Sequence, residues 1–438
     1  MMGENFQNKR LYFLGLGASN ITAAKALEKR NRVLVYDDNK TELGGLDFMH
    51  YDDIDFASLD YMIVTPGISL KYPSPHPAVI LARHHNVKII GDIELYFMQF
   101  EKLPKIIGIT GTNGKSTTTA LMHYLLSKTL DRKIYFGGNI GQAVFELEID
   151  TEAYYVIEIS SYQLDLLLDL AFDYSVLLNI TPDHLDRHKD FEGYVTAKMR
   201  IFYQNKRNNI AIICSDTPVA HSIFDGLENQ KIKYNSSEIR GASQGVYYKS
   251  HHILDNLLEL KKFGNSQNLI AALIIAEMEG VDLGEVKPII ESFKSLEHRF
   301  EKVMTYKNLT IYNDSKATNA ESTANALKQL DNVYWLAGGV AKEGGVSALS
   351  EYFPQIKKAY LFGKAANLLK EQIGDDIETA IFDQDFKRLI ATCIEDALRE
   401  TLPINILFSP SCASFDMFAN YVARGHEFKK LIHDYLKC

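Results

Sequence analysis

Cysteine is scarce in this chain. Its 438 residues hold four, Cys214, Cys393, Cys412 and Cys438, and no two form a C-x-x-C pair. Such spacing suits neither a zinc ribbon nor a dense disulfide framework, so reduced thiols in a cytoplasmic protein are the expectation. No run of about 18 apolar residues occurs, which predicts no membrane-spanning helix. Lys9-Arg10 ahead of Leu11-Tyr-Phe-Leu14 loosely imitates a secretion signal. The apolar run is short and breaks at Gly15, so a first β-strand is the better reading. Eleven prolines and 27 glycines are too few for a collagen-like or low-complexity chain. Positive charge is also in deficit. There are 47 Lys and Arg against 56 Asp and Glu, a net charge of −9, so neither nucleic acid nor an anionic membrane is an expected partner. At 46% hydrophobic and 24% charged the composition is that of a globular protein, and the length suggests about three domains.

Short apolar runs alternating with helical stretches are what the chain does have. Strands are predicted over residues 11–14, 32–36 and 61–64, with a helix over 21–27. A linker is predicted over 101–104. A second block has strands over 105–110, 154–159, 174–179 and 210–214, with helices over 117–129, 194–202 and 269–278. A third has strands over 309–312, 333–337, 358–362 and 404–408. This rhythm predicts βαβ units and parallel sheets, whose ligands bind at the carboxyl ends of the strands.

The sharpest motif sits at such an end. Gly108-Ile109-Thr110-Gly111-Thr112-Asn113-Gly114-Lys115-Ser116-Thr117 joins a predicted strand to a predicted helix. Glycines let the backbone wrap so that amide N–H groups face phosphate oxygens, and the helix N-terminus adds its positive end. Lys115 would neutralise the β- and γ-phosphates, and Ser116 would place a hydroxyl on Mg²⁺. The longer form G-x-x-x-x-G-K-[ST] is not met, because residue 109 is Ile; the shorter G-T-x-G-K-S stands here. An ordinary glycine turn with a chance Lys-Ser is the plain alternative. The flanking strand and helix favour a nucleotide.

Two further strand ends carry acids and histidines. Glu158 closes the strand before Ser160-Ser161-Tyr162-Gln163, where a carboxylate would suit Mg²⁺. After the strand at 174–179 come Asp183, His184, Asp186, Arg187 and His188, five ionisable groups in six residues. That density favours a site over isolated structural histidines. Near the amino terminus, Gly15-Leu16-Gly17-Ala18-Ser19-Asn20 approximates G-x-G-x-x-G with Asn in the third glycine position, and Asp37 follows Gly17 by twenty residues. In a dinucleotide fold that acid would meet a ribose hydroxyl; a turn with no ligand is the alternative.

Taken together, these segments resemble the bacterial Mur ligases, ATP-dependent amide-bond-forming enzymes of peptidoglycan precursor synthesis. The similarity covers almost the whole chain. It rests on 111–117, Gly137-Gly-Asn139-Ile-Gly141, Glu158-Ile-Ser-Ser-Tyr-Gln163, 179–186, Leu296-Glu-His-Arg299, Asn313-Asp314-Ser-Lys316-Ala-Thr318-Asn319 and Ser409-Pro-Ser-Cys-Ala-Ser414-Phe-Asp416. The run 313–319 is most similar to the branch that adds D-glutamate to UDP-N-acetylmuramoyl-L-alanine.

The resemblance implies an α/β fold of three consecutive domains. These are a Rossmann-like N-terminal domain over 1–100 for the UDP substrate, a central P-loop ATP-binding domain over 101–297, and a Rossmann-like C-terminal domain over 298–438 for the amino acid. It implies that Gly111, Thr112, Asn113, Gly114, Lys115, Ser116, Thr117, Asn268, Arg299 and Asp314 bind ATP. Lys115, His184 and Lys198 would be catalytic. Two Mg²⁺ ions are implied, held by Ser116, Glu158, His184 and a CO₂-derived carbamate on Lys198. Ala18, Ser19, Asp37, Asp38 and Gly67 would surround the UDP group, and Asn139 its reacting end. Thr318, Lys342, Ser414 and Tyr421 would line the D-glutamate pocket. A cytoplasmic monomer is implied. Gly264 stands where members often carry His, Glu343 where Gly is common, and Tyr421 where Phe is frequent.

Two other readings stay open at this level. One is a Mur ligase with a different amino acid. The other is a non-ligase nucleotide-binding protein that holds a redox dinucleotide at the first glycine turn.

Overall fold

The computed structural model describes the chain apart from residues 1–5, 41–44, 140–141, 204–208, 243–244, 256–259, 261–262, 264, 295, 343 and 437–438. Gly141, Gly264, Glu343 and Cys438 therefore lie outside the described residues. The chain divides into two compact units: Met1–Leu254 with Ser266–Glu291, and Asp255–Asn265 with Ser292–Cys438.

The first unit opens with a five-stranded parallel sheet. Its strands are β1 (Arg10–Leu14), β2 (Arg32–Tyr36), β3 (Asp47–Phe48), β4 (Tyr61–Val64) and β5 (Lys88–Ile90), in the order β3-β2-β1-β4-β5. Successive side chains face opposite ways. Tyr12, Leu14, Leu34, Met62 and Val64 feed one core, while Leu11, Phe13, Val33, Val35 and Ile63 feed the other. Burial on both faces is why these strands read as continuous apolar runs.

The same unit carries a second parallel sheet: β6 (Lys105–Thr110), β7 (Ile134–Gly138), β8 (Tyr154–Glu158), β9 (Tyr174–Leu177), β10 (Ile210–Cys214) and β11 (Gln230–Tyr234), ordered β11-β10-β9-β6-β8-β7. Glu94, in the helix Asp92–Phe97 after the first sheet, accepts backbone N–H bonds from Leu168, Asp169 and Leu170 at 3.0–3.1 Å. Burial raises the Glu94 pKa, and those three amides oppose the shift. A small antiparallel sheet follows: β12 (Ile239–Ala242), β13 (Gly245–Tyr248) and β14 (His251–Leu254). No strand was expected there, because the segment mixes polar and apolar residues without a run of either.

The second unit is built on β15 (Glu301–Tyr306), β16 (Leu309–Asn313), β17 (Val333–Gly338), β18 (Ile356–Phe362), β19 (Glu378–Ile381) and β20 (Ile404–Phe408), ordered β15-β16-β20-β17-β18-β19. Only β15 runs antiparallel. Trp335, Leu361 and Leu407 pack on one face, and Leu336, Tyr360, Phe362, Ile406 and Phe408 on the other. Each fully buried Leu or Phe of this kind contributes roughly 1.5–3 kcal/mol. No helix among the described residues is long and apolar enough to cross a membrane.

Candidate active site

In each large sheet the residues of interest follow the carboxyl ends of neighbouring strands. In the second sheet these are β9, β6, β8 and β7. The loop after β6 turns through Gly111 (φ 156°) and left-handed Gly114 (φ 85°) into the helix Lys115–Thr129. A Cβ on Gly114 would collide with the side-chain amide of Asn268, so that asparagine is packed directly against the loop. Asn179 after β9 braces the loop from below. Its carbonyl accepts from Thr112 N at 3.1 Å, its Oδ1 accepts from Asn113 N at 2.8 Å, and its Nδ2 donates to Asn113 O at 3.0 Å. The Thr112 hydroxyl donates to Thr181 O and lies 3.1 Å from the Tyr194 hydroxyl.

Lys115 folds back on this loop and donates to the carbonyls of Gly111 at 2.7 Å and Thr112 at 2.8 Å. Lys198, in the helix Phe191–Met199, reaches the same Gly111 carbonyl at 2.8 Å and lies over the Tyr194 ring. It is 1% exposed. Burial drives its ammonium pKa well below the ordinary lysine value, and the Lys115 charge adds to the shift, against Asp183 and Glu158. Glu158 is equally buried. One of its oxygens accepts from Asn139 Nδ2 at 2.8 Å, and the other has no hydrogen-bond partner among the described residues. A buried carboxylate oxygen left open in this way, on the strand paired with β6 whose loop leads to Ser116, fits a hard divalent cation such as Mg²⁺.

His184 sits in a left-handed turn (φ 55°). Its Nδ1 is 3.0 Å from the Tyr162 hydroxyl, and its Nε2 is 3.6 Å from Asp183. His188 points to Ser161 at 3.0 Å, and burial lowers its pKa. Asp186 is exposed. Arg187 lies over the Tyr162 ring and donates to the carbonyls of Ile68 at 2.6 Å and Pro66 at 3.4 Å. It thereby holds the loop that carries Gly67.

The first sheet presents its own group after β1, β2 and β4. Gly15 takes φ 80° under Thr65, and Asn20 folds back to donate to the Gly15 carbonyl at 2.9 Å. That hydrogen bond gives Asn a role in the position of the third glycine. Asp37 accepts from Leu16 N at 2.6 Å and Asn39 N at 2.9 Å, so it braces the turn. Asp38 pairs with His76 at 3.2 Å. Ser19 hydrogen-bonds Asp92, whose burial raises its carboxyl pKa. Ala18 and Gly67 are exposed.

In the second unit, Asp314, Thr318, Lys342 and Ser414 follow β16, β17 and β20, three adjacent strands, and Tyr421 opens the last helix. Asp314 accepts from Phe300 N at 3.0 Å and from the Ser409 hydroxyl at 2.8 Å. Burial raises its pKa to about 7, opposed by these bonds and by the charges of Arg299 and Arg424. Lys316 lies 4.1 Å over the Tyr421 ring. The side chains of Asn179, Thr181, Tyr162, Tyr194 and Arg424 were not singled out from sequence. Only Arg424 has a local signal: with Phe428, Ile432 and Leu436 it falls on one four-residue stripe, the buried stripe of its helix.

Residues 109–274 match the Mur ligase middle domain, and residues 298–412 match the Mur ligase glutamate ligase domain. A UDP-N-acetylmuramoylalanine--D-glutamate ligase of Rickettsia bellii is 36% identical over 97% of both chains. That of Rickettsia prowazekii is 37% identical over 97% of this chain and 98% of its own. The chain belongs to the Mur ligase family. Among solved structures, this Mur ligase is similar to the UDP-N-acetylmuramate-alanine ligase MurC of Thermotoga maritima, with a TM-score of 0.60 and 16% identity over 98% of this chain and 100% of that one. It is also similar to the MurF ligase of Thermotoga maritima, solved in complex with ADP, with a TM-score of 0.58 and 15% identity over 99% and 96% of the two chains. At that identity the likeness concerns the fold, which is the α/β architecture expected from the sequence.

Proposed function

We propose that this Mur ligase joins D-glutamate to UDP-N-acetylmuramoyl-L-alanine and converts ATP to ADP and phosphate in cytoplasmic peptidoglycan precursor synthesis. The observation that carries the reading is 36–37% identity, over 97% of this chain, to ligases named for that reaction. The substrate carboxylate attacks the γ-phosphorus of ATP and ADP leaves. The D-glutamate amine then attacks the acyl phosphate, phosphate departs with the C–O electron pair, and the amine gives up a proton. An acyl phosphate hydrolyses readily, so the site must keep water away until the amine arrives.

We assign the residues as follows. Gly111 to Thr117 wrap the phosphates, with Lys115 on the transferring group. Asn268, Arg299 and Asp314 hold the rest of ATP. Ser116, Glu158 and His184 would hold two Mg²⁺ ions, together with Lys198 as its carbamate. When bound, the metal offsets charge on the transferring phosphoryl group. The open Glu158 oxygen supports that assignment. The depressed pKa of Lys198 supports the carbamate, because only a neutral amine attacks CO₂. Ala18, Ser19, Asp37, Asp38, Gly67 and Asn139 receive the UDP substrate. Thr318, Lys342, Ser414 and Tyr421 receive D-glutamate. We place domain boundaries near residues 100 and 297 and take the protein to act as a monomer.

The test is phosphate release from Mg-ATP with UDP-N-acetylmuramoyl-L-alanine, adding D-glutamate, L-glutamate, L-alanine or a diamino acid in turn, with product masses read alongside. Release and an adduct with D-glutamate alone are expected, and a folded Lys115→Ala variant should show neither. An adduct with another amino acid would move the specificity. No turnover with any would end the ligase reading.

A further inference from the structure

Among the described residues Arg424 is the largest charged side chain buried in the second unit, at 0% exposure, and none of its hydrogen bonds goes to a carboxylate. Its guanidinium makes four hydrogen bonds to neutral oxygens. Nε donates to the Ser315 hydroxyl at 3.0 Å, one terminal nitrogen to Ser315 O at 2.7 Å, and the other to Cys412 O at 3.0 Å and Gly338 O at 3.5 Å. These acceptors lie in the loops after β16 and β20 and at Gly338, the last residue of β17. Thr318 lies three residues beyond Ser315, Lys342 four beyond Gly338, and Ser414 two beyond Cys412. The fourth pocket residue is tied in as well, because the Ser315 hydroxyl donates to Tyr421 O at 2.9 Å. Val340 and Ala413 exchange backbone bonds at 2.8 and 2.9 Å and lock two of the loops to each other.

We propose that Arg424 is a positioning residue of the amino-acid pocket, a buried fork that with Ser315 holds Thr318, Lys342, Ser414 and Tyr421 in register. A planar fork of donors reaches three diverging carbonyl sources at once, whereas a lysine ammonium is a compact point on a flexible stem and does not. Burial disfavours the Arg424 cation, and the charges of Asp416 and Asp314 offset this without a direct ion pair; core packing alone would be served as well by an apolar side chain. The proposal rests on the assignment of those four residues to the amino acid.

The experiment measures KM for ATP, UDP-N-acetylmuramoyl-L-alanine and D-glutamate separately, in the full chain and in Arg424→Lys, Arg424→Met and Ser315→Ala. Folding is checked by the emission of Trp335, the only tryptophan. Both Arg424 variants should raise the amino-acid KM by about tenfold or more, the range expected for losing hydrogen bonds to a charged group. The other two KM values should stay within about threefold, and lysine should not rescue. Ser315→Ala should raise the amino-acid KM by about threefold to tenfold, and it decides the matter if the Arg424 variants do not fold. An unchanged amino-acid KM in folded variants, or all three KM values rising together, overturns the proposal. Should the wild type use another amino acid, the specificity reading fails in the wild type and the same split is read with that acid. A wild type that uses none removes both.

Discussion

Lys115 and Lys198 donate to one acceptor. The Gly111 carbonyl oxygen lies 2.7 Å from the first Nζ and 2.8 Å from the second. Two ammonium groups sharing one carbonyl repel each other, and Lys198 is the one fully removed from water. Lys198 is therefore the lysine poised to give up its proton. This asymmetry would suit them to different tasks, one as a fixed cation for phosphate and one as a nucleophile for CO₂.

The sign of the Lys198 shift gives a stability prediction. With its native pKa depressed, the unfolded chain binds one more proton between that value and about 10.4, so stability rises with pH across the window. Lys198→Met should melt higher than wild type near neutral pH, with the gap closing toward pH 10. Bicarbonate should raise the wild-type melting temperature and leave the variant unmoved. Lys198→Ala should lose activity, with partial rescue by a short carboxylic acid. Full activity of the unrescued variant would refute the need for a carbamate.

Glu158 offers an independent test of the cation site. One of its oxygens is buried without a hydrogen-bond partner among the described residues. Glu158→Gln keeps an acceptor for Asn139 Nδ2 and removes the charge. Thermal unfolding without Mg²⁺ should show the variant stabilised by about 1 kcal/mol or equal to wild type. The extra stabilisation that Mg-ATP gives the wild type should shrink. A variant destabilised without Mg²⁺ and still fully stabilised by Mg-ATP would count against the assignment.

Asp314 predicts the opposite pH trend. Its native pKa is raised to about 7, above its ordinary value near 3.8. The native state holds the extra proton, so stability falls as pH rises from about 4 to 7. Asp314→Asn should flatten that slope in the second unit. The reporter is Trp335, whose indole N–H donates to Ser409 O at 2.8 Å, next to the Ser409–Asp314 hydrogen bond. Identical slopes in variant and wild type would remove Asp314 as the cause.

How much of this was legible from sequence has a physical pattern. Every interior strand of the three large sheets was expected, from β1 to β20. The six that were not expected, β3, β5, β7, β11, β15 and β19, are the six sheet edges. Interior parallel strands are buried on both faces and spell out apolar runs, whereas an edge such as Gln230-Lys-Ile-Lys-Tyr234 is half exposed and does not. The same divide runs through the candidate site. The glycine loop, Glu158 and His184 announce themselves by composition next to strand ends. Asn179 and Arg187 do their work through backbone atoms that are distant in sequence, 66 residues away in one case and 119 in another. No local pattern encodes such a partner.

Glu94 on the Leu168–Leu170 amides and Arg187 on the Pro66 and Ile68 carbonyls join the first sheet to the second at two points. These two ties connect the sheet of the first glycine turn to the sheet of the phosphate loop. A long substrate anchored at one and reacting at the other would be measured as by a fixed calliper. Under the proposed function, selection would then act on the length of the molecule as well as on its end groups, and a shortened precursor held at one end would fall short of the transferring phosphate.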